Sequence, residues 1–279
     1  MRTACDTNAQ VVETEQIHVH TGQVLSNDLV NNDYRHLILK VSEEMLDVQP
    51  GQFFHLLCPE IDGYKPYLRR PMSTYRADKE RGELHFLYKV QGEGTGAMSR
   101  LKSGDDFNVV GPLGKGFFID PSWKHLVLVA RGVGLATLAP LADVARQMGC
   151  RLTAICSARS PEMLMSTDYF AACGAEVITL TDTDGTSEMN HLKDLLINIV
   201  QEQGVDAFYT CGSNRILKLL QELCQEFEIP GQIALEQQMA CGIGMCMCCV
   251  RQFKKAEGIV SQRVCKEGPV FEIEEAIAW

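Results

Sequence analysis

The stretch ACGIGMCMCCV, residues 240–250, places four cysteines within nine positions and sets two glycines among them. Cys241, Cys246 and Cys249 follow the spacing C-x4-C-x2-C, and Cys265 lies sixteen positions further on. This is the plant-type spacing for [2Fe–2S] ligation. The chemistry asks for a tight loop of thiolates around a negative cluster, with backbone N–H groups aimed at its sulfurs. Gly242 and Gly244 let the backbone turn inward with no Cβ in the way. Cys248 is left over, because adjacent side chains in an extended loop point apart and Cys249 completes the spacing. The competing readings are a structural zinc site and free buried thiols. Zinc usually takes paired C-x2-4-C knuckles, and Cys265 has no close partner in the chain. Cys5, Cys58, Cys150, Cys156, Cys173, Cys211 and Cys224 are scattered and read as small hydrophobes.

A second group of residues suits phosphate and a ring edge. In YLRRPMSTY the proline stiffens a turn, Arg70 offers a planar fork for a pyrophosphate, and Ser73 can hydrogen-bond a heterocycle. In LYKVQGEGTGAMSRL, Gly94, Thr95 and Gly96 open a short helix expected over 95–101. Helix N-termini carry free N–H groups and the positive end of the dipole. Two phosphate-suited elements in one β-rich region point to a flavin dinucleotide.

These residues need a scaffold that brings them together. Residues 17–120 contain short runs rich in β-branched and aromatic residues, bounded by Gly, Pro, Asn or Asp, which predicts an antiparallel sandwich or small barrel. From about 121 the rhythm changes. Apolar strands such as HLVLVA alternate with helical stretches, two of them near 188–203 and 214–227, which predicts a parallel sheet flanked by helices. Ser213 or Asn214 is placed to cap the last helix. QIALEQQM, from 232, reads as a last strand, and the acidic FEIEEAIAW as a closing strand or a short helix. The expected domains are therefore 1–120, 121–231 and 232–279. The third is too short to bury a core of its own, so a metal staple suits it.

Bulk properties narrow the function. Net charge is −10 in 279 residues, which argues against a nucleic-acid surface. No run approaches the roughly 18 apolar residues of a membrane span. The first sixteen residues show no apolar run of the signal-peptide kind. Twelve cysteines without such a signal fit a reducing compartment, and the cytoplasm is the expected location.

The motifs RRPMS, YKVQGEGTGAMSRLKSGD, VVGPLGKGF, CGSNRILK and MACGIGMCMCCV, in this order, resemble the electron-transfer subunits of heterotetrameric dihydroorotate dehydrogenase, within the ferredoxin–NADP reductase superfamily. The resemblance runs over about residues 17–272. It implies a ferredoxin reductase-like chain of three parts: an N-terminal antiparallel FAD-binding β-barrel, a central α/β nicotinamide-nucleotide domain and a small C-terminal [2Fe–2S] domain. It carries the flavin contacts onto Arg70, Pro71, Met72, Ser73, Leu87, Tyr88, Lys89, Gly94 and Thr95. The cluster ligands fall on Cys241, Cys246, Cys249 and Cys265.

The chain departs from the family in the glycine-rich loop after the first strand of the nucleotide domain, usually close to GGGxGxAP. Here it reads ARGVGLATLAP. Gly132 and Gly134 remain as NAD(P)-binding candidates, but Arg131 replaces a glycine and the proline is displaced. The arginine could grip a phosphate or block the site. Ser157 and Arg159 could meet a 2′-phosphate or lie in a solvated loop, so NADH and NADPH are not distinguished. Asp182 and Asp184 need no catalytic role, His18 and His20 read as strand residues, Met163 and Met165 as packing, and Trp279 as packing on its own domain. No proton-transferring catalytic side chain is expected.

The implied function is electron transfer between NAD(P)(H), FAD and a [2Fe–2S] cluster, to or from a partner flavoprotein subunit in a heteromeric complex. The partner would be dihydroorotate dehydrogenase or a paralogue. One alternative is the diaphorase subunit of a transhydrogenase, sulfite reductase or hydrogenase. An alternative of another class is a zinc-stabilised, redox-sensing adaptor on a reductase fold.

Overall fold

The structure, a computed structural model, describes residues 17–279; Cys5 and the N-terminal stretch considered above lie outside the described residues. Two sheets carry the molecule. The first uses β1 (His18–Leu29), β2 (Tyr34–Lys40), β3 (Phe53–Leu56), β4 (Arg70–Ser73), β5 (Arg76–Asp78), β6 (Glu83–Lys89) and β7 (Asp106–Leu113). All its pairings are antiparallel, in the order β4-β3-β7-β1-β2-β6-β5. Buried Val24, Leu37, Leu39, Phe54, Phe86 and Val109 fill its concave side. The expected barrel is a half-barrel, because β4 and β5 are edge strands that do not hydrogen-bond to each other. They are four and three residues long. Pro71 fits β4 for the same reason: a residue without an N–H is tolerated on an edge.

A six-residue helix, α1 (Glu93–Met98), follows β6. It starts two residues before the predicted position, behind Gly92 at φ +78°.

The second sheet takes β8 (His125–Arg131), β9 (Arg151–Ala158), β10 (Glu176–Thr181), β11 (Ala207–Cys211) and β12 (Gly231–Ala234). These five run parallel in the order β10-β9-β8-β11-β12. Four helices, α2 (Gly134–Met148), α3 (Thr167–Ala172), α4 (Met189–Gln203) and α5 (Asn214–Phe227), cover it. Their apolar faces pack on two sides: Leu135, Leu138, Ala142 and Phe170 on one, Leu192, Leu196, Leu217 and Leu220 on the other. Ser213 caps α5 by accepting from the Ile216 N–H at 3.4 Å, whereas Asn214 turns to the Trp279 backbone and accepts from its N–H at 3.1 Å. The Arg251 guanidinium lies 4.3 Å from the centre of the Trp279 ring.

After β12 the chain makes the cysteine loop and a hairpin of β13 (Val250–Lys255) and β14 (Gly258–Arg263). It then returns as β15 (Val270–Glu272), antiparallel to β12 on the edge of the second sheet. The expected boundary at 231/232 falls within β12, so the strand that begins the cysteine region belongs to the parallel sheet. The region also borrows that sheet's core. Phe253, Val264, Phe271, Ile273 and Ala276 are buried in the same cluster as Val127, Phe208 and Leu220. Phe253 and Phe271 stack with ring centres 4.0 Å apart.

Candidate functional site

A cavity of about 900 Å³ opens between the half-barrel, α2 and the segment after β12. Arg70, Pro71, Met72 and Ser73 of β4 line it, with Leu87, Tyr88 and Lys89 of β6 and Thr95 of α1. Eight of the nine residues proposed for flavin thus share one space. Gly94, the ninth, lies behind Arg70: a Cβ there would sit 2.4 Å from the guanidinium. The two neighbouring arginines divide the work. Arg69 is tied inward, donating to the His55 carbonyl at 3.2 Å and to Asn108 Oδ1 at 2.5 Å. Among the described residues Arg70 donates only to the nearby Leu68 carbonyl, which leaves its fork facing the cavity. The Tyr88 hydroxyl is engaged inside the barrel, donating to Asn27 Oδ1 at 3.0 Å, and burial pushes its pKa up to about 12. Thr95 Oγ1 accepts from the Gln91 N–H at 2.6 Å, so it fixes the entry to α1.

The far wall of the cavity belongs to the parallel-sheet half. Thr137 of α2 donates to Ser73 Oγ at 2.9 Å, and Glu236, Met239 and Cys248 close the space. Cys248, the cysteine outside the spacing pattern, is exposed and faces this cavity.

The other four cysteines form two pairs joined by sulfur contacts. Cys241 lies by Cys246 and accepts from the N–H groups of Met245 at 3.3 Å and Cys246 at 3.4 Å. Cys249 lies by Cys265 and accepts from its N–H at 3.4 Å. Cys265 accepts from the Gly244 N–H at 3.2 Å. Burial would raise the Cys241 thiol, but the N–H groups of Ile243, Cys246 and Met245 outweigh it and bring it to about 6. Burial and the neighbouring Cys249 push Cys265 up to about 12. Gly242 and Gly244 sit at φ +72° and +83°, as a loop folded back on itself requires. Among the described residues, no three His, Cys, Asp or Glu side chains converge on a point suited to a single metal ion. Two thiol pairs with N–H groups donated to their sulfurs suit an iron–sulfur centre.

A smaller crevice of about 350 Å³ lies at the carboxyl ends of β8 and β11, where the strand order reverses. Ligands of open α/β sheets bind at such points. Arg131, Gly134 and the first residues of α5 line it, and Glu236 borders both this crevice and the larger cavity. Gly134 is forced, since a Cβ would lie 2.7 Å from the Cys211 carbonyl oxygen. Gly132, at φ +58°, donates its N–H to the Ser157 carbonyl at 2.9 Å.

Residues 21–118 match the family described as the oxidoreductase FAD-binding domain, and residues 236–277 match the iron–sulfur cluster binding domain of dihydroorotate dehydrogenase B. A dihydroorotate dehydrogenase B (NAD(+)) electron transfer subunit of Desulforamulus reducens is 32% identical over 222 residues, 80% of this chain and 84% of that one. Its counterpart in Caldanaerobacter subterraneus subsp. tengcongensis is 36% identical over 82% of this chain and 87% of its own length. The chain belongs to the dihydroorotate dehydrogenase B electron transfer subunit family. A solved structure of an NADH-dependent reduced ferredoxin–NADP oxidoreductase, studied for flavin-based electron bifurcation, superposes with a TM-score of 0.76 at 26% identity, over 92% of this chain and 90% of that one. The ferredoxin reductase of carbazole 1,9a-dioxygenase shares the fold, with a TM-score of 0.63 at 17% identity over 79% of this chain and 69% of that one.

Against the pattern of the electron transfer subunits, the structure answers how Arg131 is accommodated. Its guanidinium turns along the sheet edge and grips both carboxylate oxygens of Asp182, at 3.0 and 2.6 Å, while also donating to Ser157 Oγ at 3.1 Å. Hydrogen bonds from Arg131 and Ser187 hold the Asp182 carboxyl down at about 2. Ser157 is thereby occupied, and Arg159 stays exposed. The displaced Pro140 lies inside α2.

Several residues at these sites carried no signal in the sequence. Thr137 and Glu236 reach the cavity only through the packing of the two halves, which local spacing does not show. His55 is another. It reads as a strand residue in GQFFHLLC, yet its buried ring lies against Gly242 of the cysteine loop. Burial, with Arg69 nearby, lowers its pKa to about 4, so the ring is neutral.

Proposed function

We propose that this chain is the electron-transfer subunit of a heteromeric oxidoreductase. It would hold FAD in the large cavity, NAD(P) at the crevice beside it and a [2Fe–2S] cluster on Cys241, Cys246, Cys249 and Cys265. The observation that carries this reading is the shared wall: Cys248, adjacent to a proposed ligand, lines the same cavity as Arg70 and Ser73. Bound there, the flavin would supply a carrier that takes electrons in pairs and releases them singly, and the cluster a carrier of single electrons. The protein's part is positioning. Arg70 and the backbone at 94–95 anchor phosphate, Ser73 and Thr137 present hydroxyls, and Gly134 keeps the β8–α2 turn close to β11. The domain division 1–120, 121–231 and 232–279 then assigns one cofactor to each part, the third part being built onto the second sheet.

A partner flavoprotein subunit of the dihydroorotate dehydrogenase kind would complete the complex, which suits relatives named as electron transfer subunits. Ile243, Met245 and Met247 are exposed on the cysteine loop, and Met245 is 78% exposed. Apolar side chains crowded beside thiolates suit a docking surface. The structural neighbour that works with ferredoxin favours a second reading, a diaphorase subunit of a transhydrogenase. No helix among the described residues is long and apolar enough to cross a membrane, and a cytoplasmic location suits the free thiols.

The test is anaerobic purification followed by iron, sulfide and flavin analysis, then addition of NADH and NADPH in turn. We expect two irons and two sulfides per chain, one FAD, and flavin bleaching by at least one nucleotide. Zinc without acid-labile sulfide would favour the adaptor reading instead. The protein that co-purifies separates the dihydroorotate dehydrogenase subunit from the transhydrogenase subunit.

A further inference from the structure

His55 stands between the two proposed cofactor sites. It is 1% exposed, and its Nε2 has no hydrogen-bond partner among the described residues. Buried polar atoms are almost always paired, so an orphan calls for a ligand or another explanation. Its position supplies one. A Cβ on Gly242 would sit 2.6 Å from His55 Cε1 and 2.8 Å from Nε2, so the ring lies directly on the loop residue that follows Cys241. On its other side, the His55 backbone pairs with Pro71 in the flavin-cavity wall. Phe53, two residues earlier on the same strand, lines that cavity, and its ring centre is 5.8 Å from that of His55.

We propose that His55 is a positioning residue for the iron–sulfur centre, its Nε2–H donating a hydrogen bond to a sulfur of the cluster that Cys241 helps to hold. The proposal rests on the iron–sulfur reading above. In a neutral imidazole one nitrogen carries the proton; both ring nitrogens lie within 2.9 Å of that Cβ position, and Nε2, the fully enclosed one without a partner, is assigned it. An N–H donated to a cluster sulfur favours the reduced form, whose charge is more negative, and so raises the reduction potential. The glycine at 242 is then required twice, for its positive φ and to let the imidazole approach.

The test uses the full chain with its cofactors. His55→Phe keeps a ring against Gly242 and removes both nitrogens, and His55→Gln restores a donor. We expect His55→Phe to load iron and sulfide as the wild type does. Its cluster midpoint potential, followed by EPR-monitored titration, should shift negative while the flavin potential stays in place, with His55→Gln lying between. A fully loaded His55→Phe protein with an unshifted cluster potential overturns the proposal. Where the variants fold poorly, wild-type protein carrying 15N-histidine gives the answer without a substitution. A 15N coupling to the reduced cluster in electron–nuclear double resonance supports the hydrogen bond, and its absence overturns it. A wild-type chain that binds no iron or sulfide overturns the iron–sulfur reading as well, so the two failures are distinguishable.

Discussion

Gly94 shows how closely the proposed phosphate anchor, Arg70, is hemmed in. The Arg70 guanidinium fills the space where a side chain at 94 would begin, with 2.4 Å to the nearest nitrogen. Gly94→Val should push the fork out of the cavity and weaken FAD binding by roughly tenfold or more, the scale of one charge-assisted hydrogen bond. Fluorescence titration of flavin-free protein checks this; unchanged affinity would remove Arg70 from the anchor. The adjacent thiols 248 and 249 make an equally direct contrast. Cys249 is 1% exposed and paired with Cys265, whereas Cys248 faces the flavin cavity. Cys249→Ser should abolish cluster absorbance and leave flavin binding intact, while Cys248→Ser should keep both, as absorption spectra of the two variants will show. Spacing alone singles out Cys249 as the proposed ligand, and its burial beside Cys265 supports that choice. His55 was not legible. A histidine in an apolar strand looks the same whether its nitrogen meets solvent, a carbonyl or a distant loop.

Among the elements, the carboxyl edge of the second sheet is held by an ion pair that the family's glycine-rich loop does not foreshadow. Asp182 follows β10 and clasps Arg131 at the end of β8. Its pKa is about 2 against an ordinary 3.8. A lowered carboxylate pKa stabilises the folded state fully above the unfolded value, and that contribution fades as pH falls from about 4 to about 2. Asp182→Asn should therefore flatten the acid limb of the stability curve in that window. At neutral pH it should cost only about 0.5 kcal/mol, because the side chain is 46% exposed. Urea unfolding at several pH values measures both effects. At this scale the long helices were readable. α4 and α5 fall within a residue of their expected starts, since apolar positions recur every three to four residues and Ser213 marks the second. β12 and β15 were harder. Strands of four and three residues show too little alternation to reveal a register, and their pairing joins segments far apart in the chain.

Across the whole molecule, the half-barrel and the parallel sheet meet in a small apolar contact. Tyr34 and Leu87 from one pack on Ala136 and Met165 from the other. The Thr137–Ser73 hydrogen bond crosses the same seam beside the flavin cavity. Thr137→Val keeps the shape and removes the donor. It should lower stability by about 1 kcal/mol and loosen the flavin's surroundings, seen as a lower melting temperature and a changed visible circular dichroism of the bound flavin. An unchanged dichroism would mean that the seam does not shape the pocket.

The return of the chain through β15 has a mechanical consequence. The thiol-bearing segment leaves the sheet at β12 and rejoins it on the adjacent track, so it is clamped at both ends rather than tethered at one. The proposed redox terminal would then be a fixed socket rather than a swinging arm, and any partner exchanging charge with it would have to plug in where it stands.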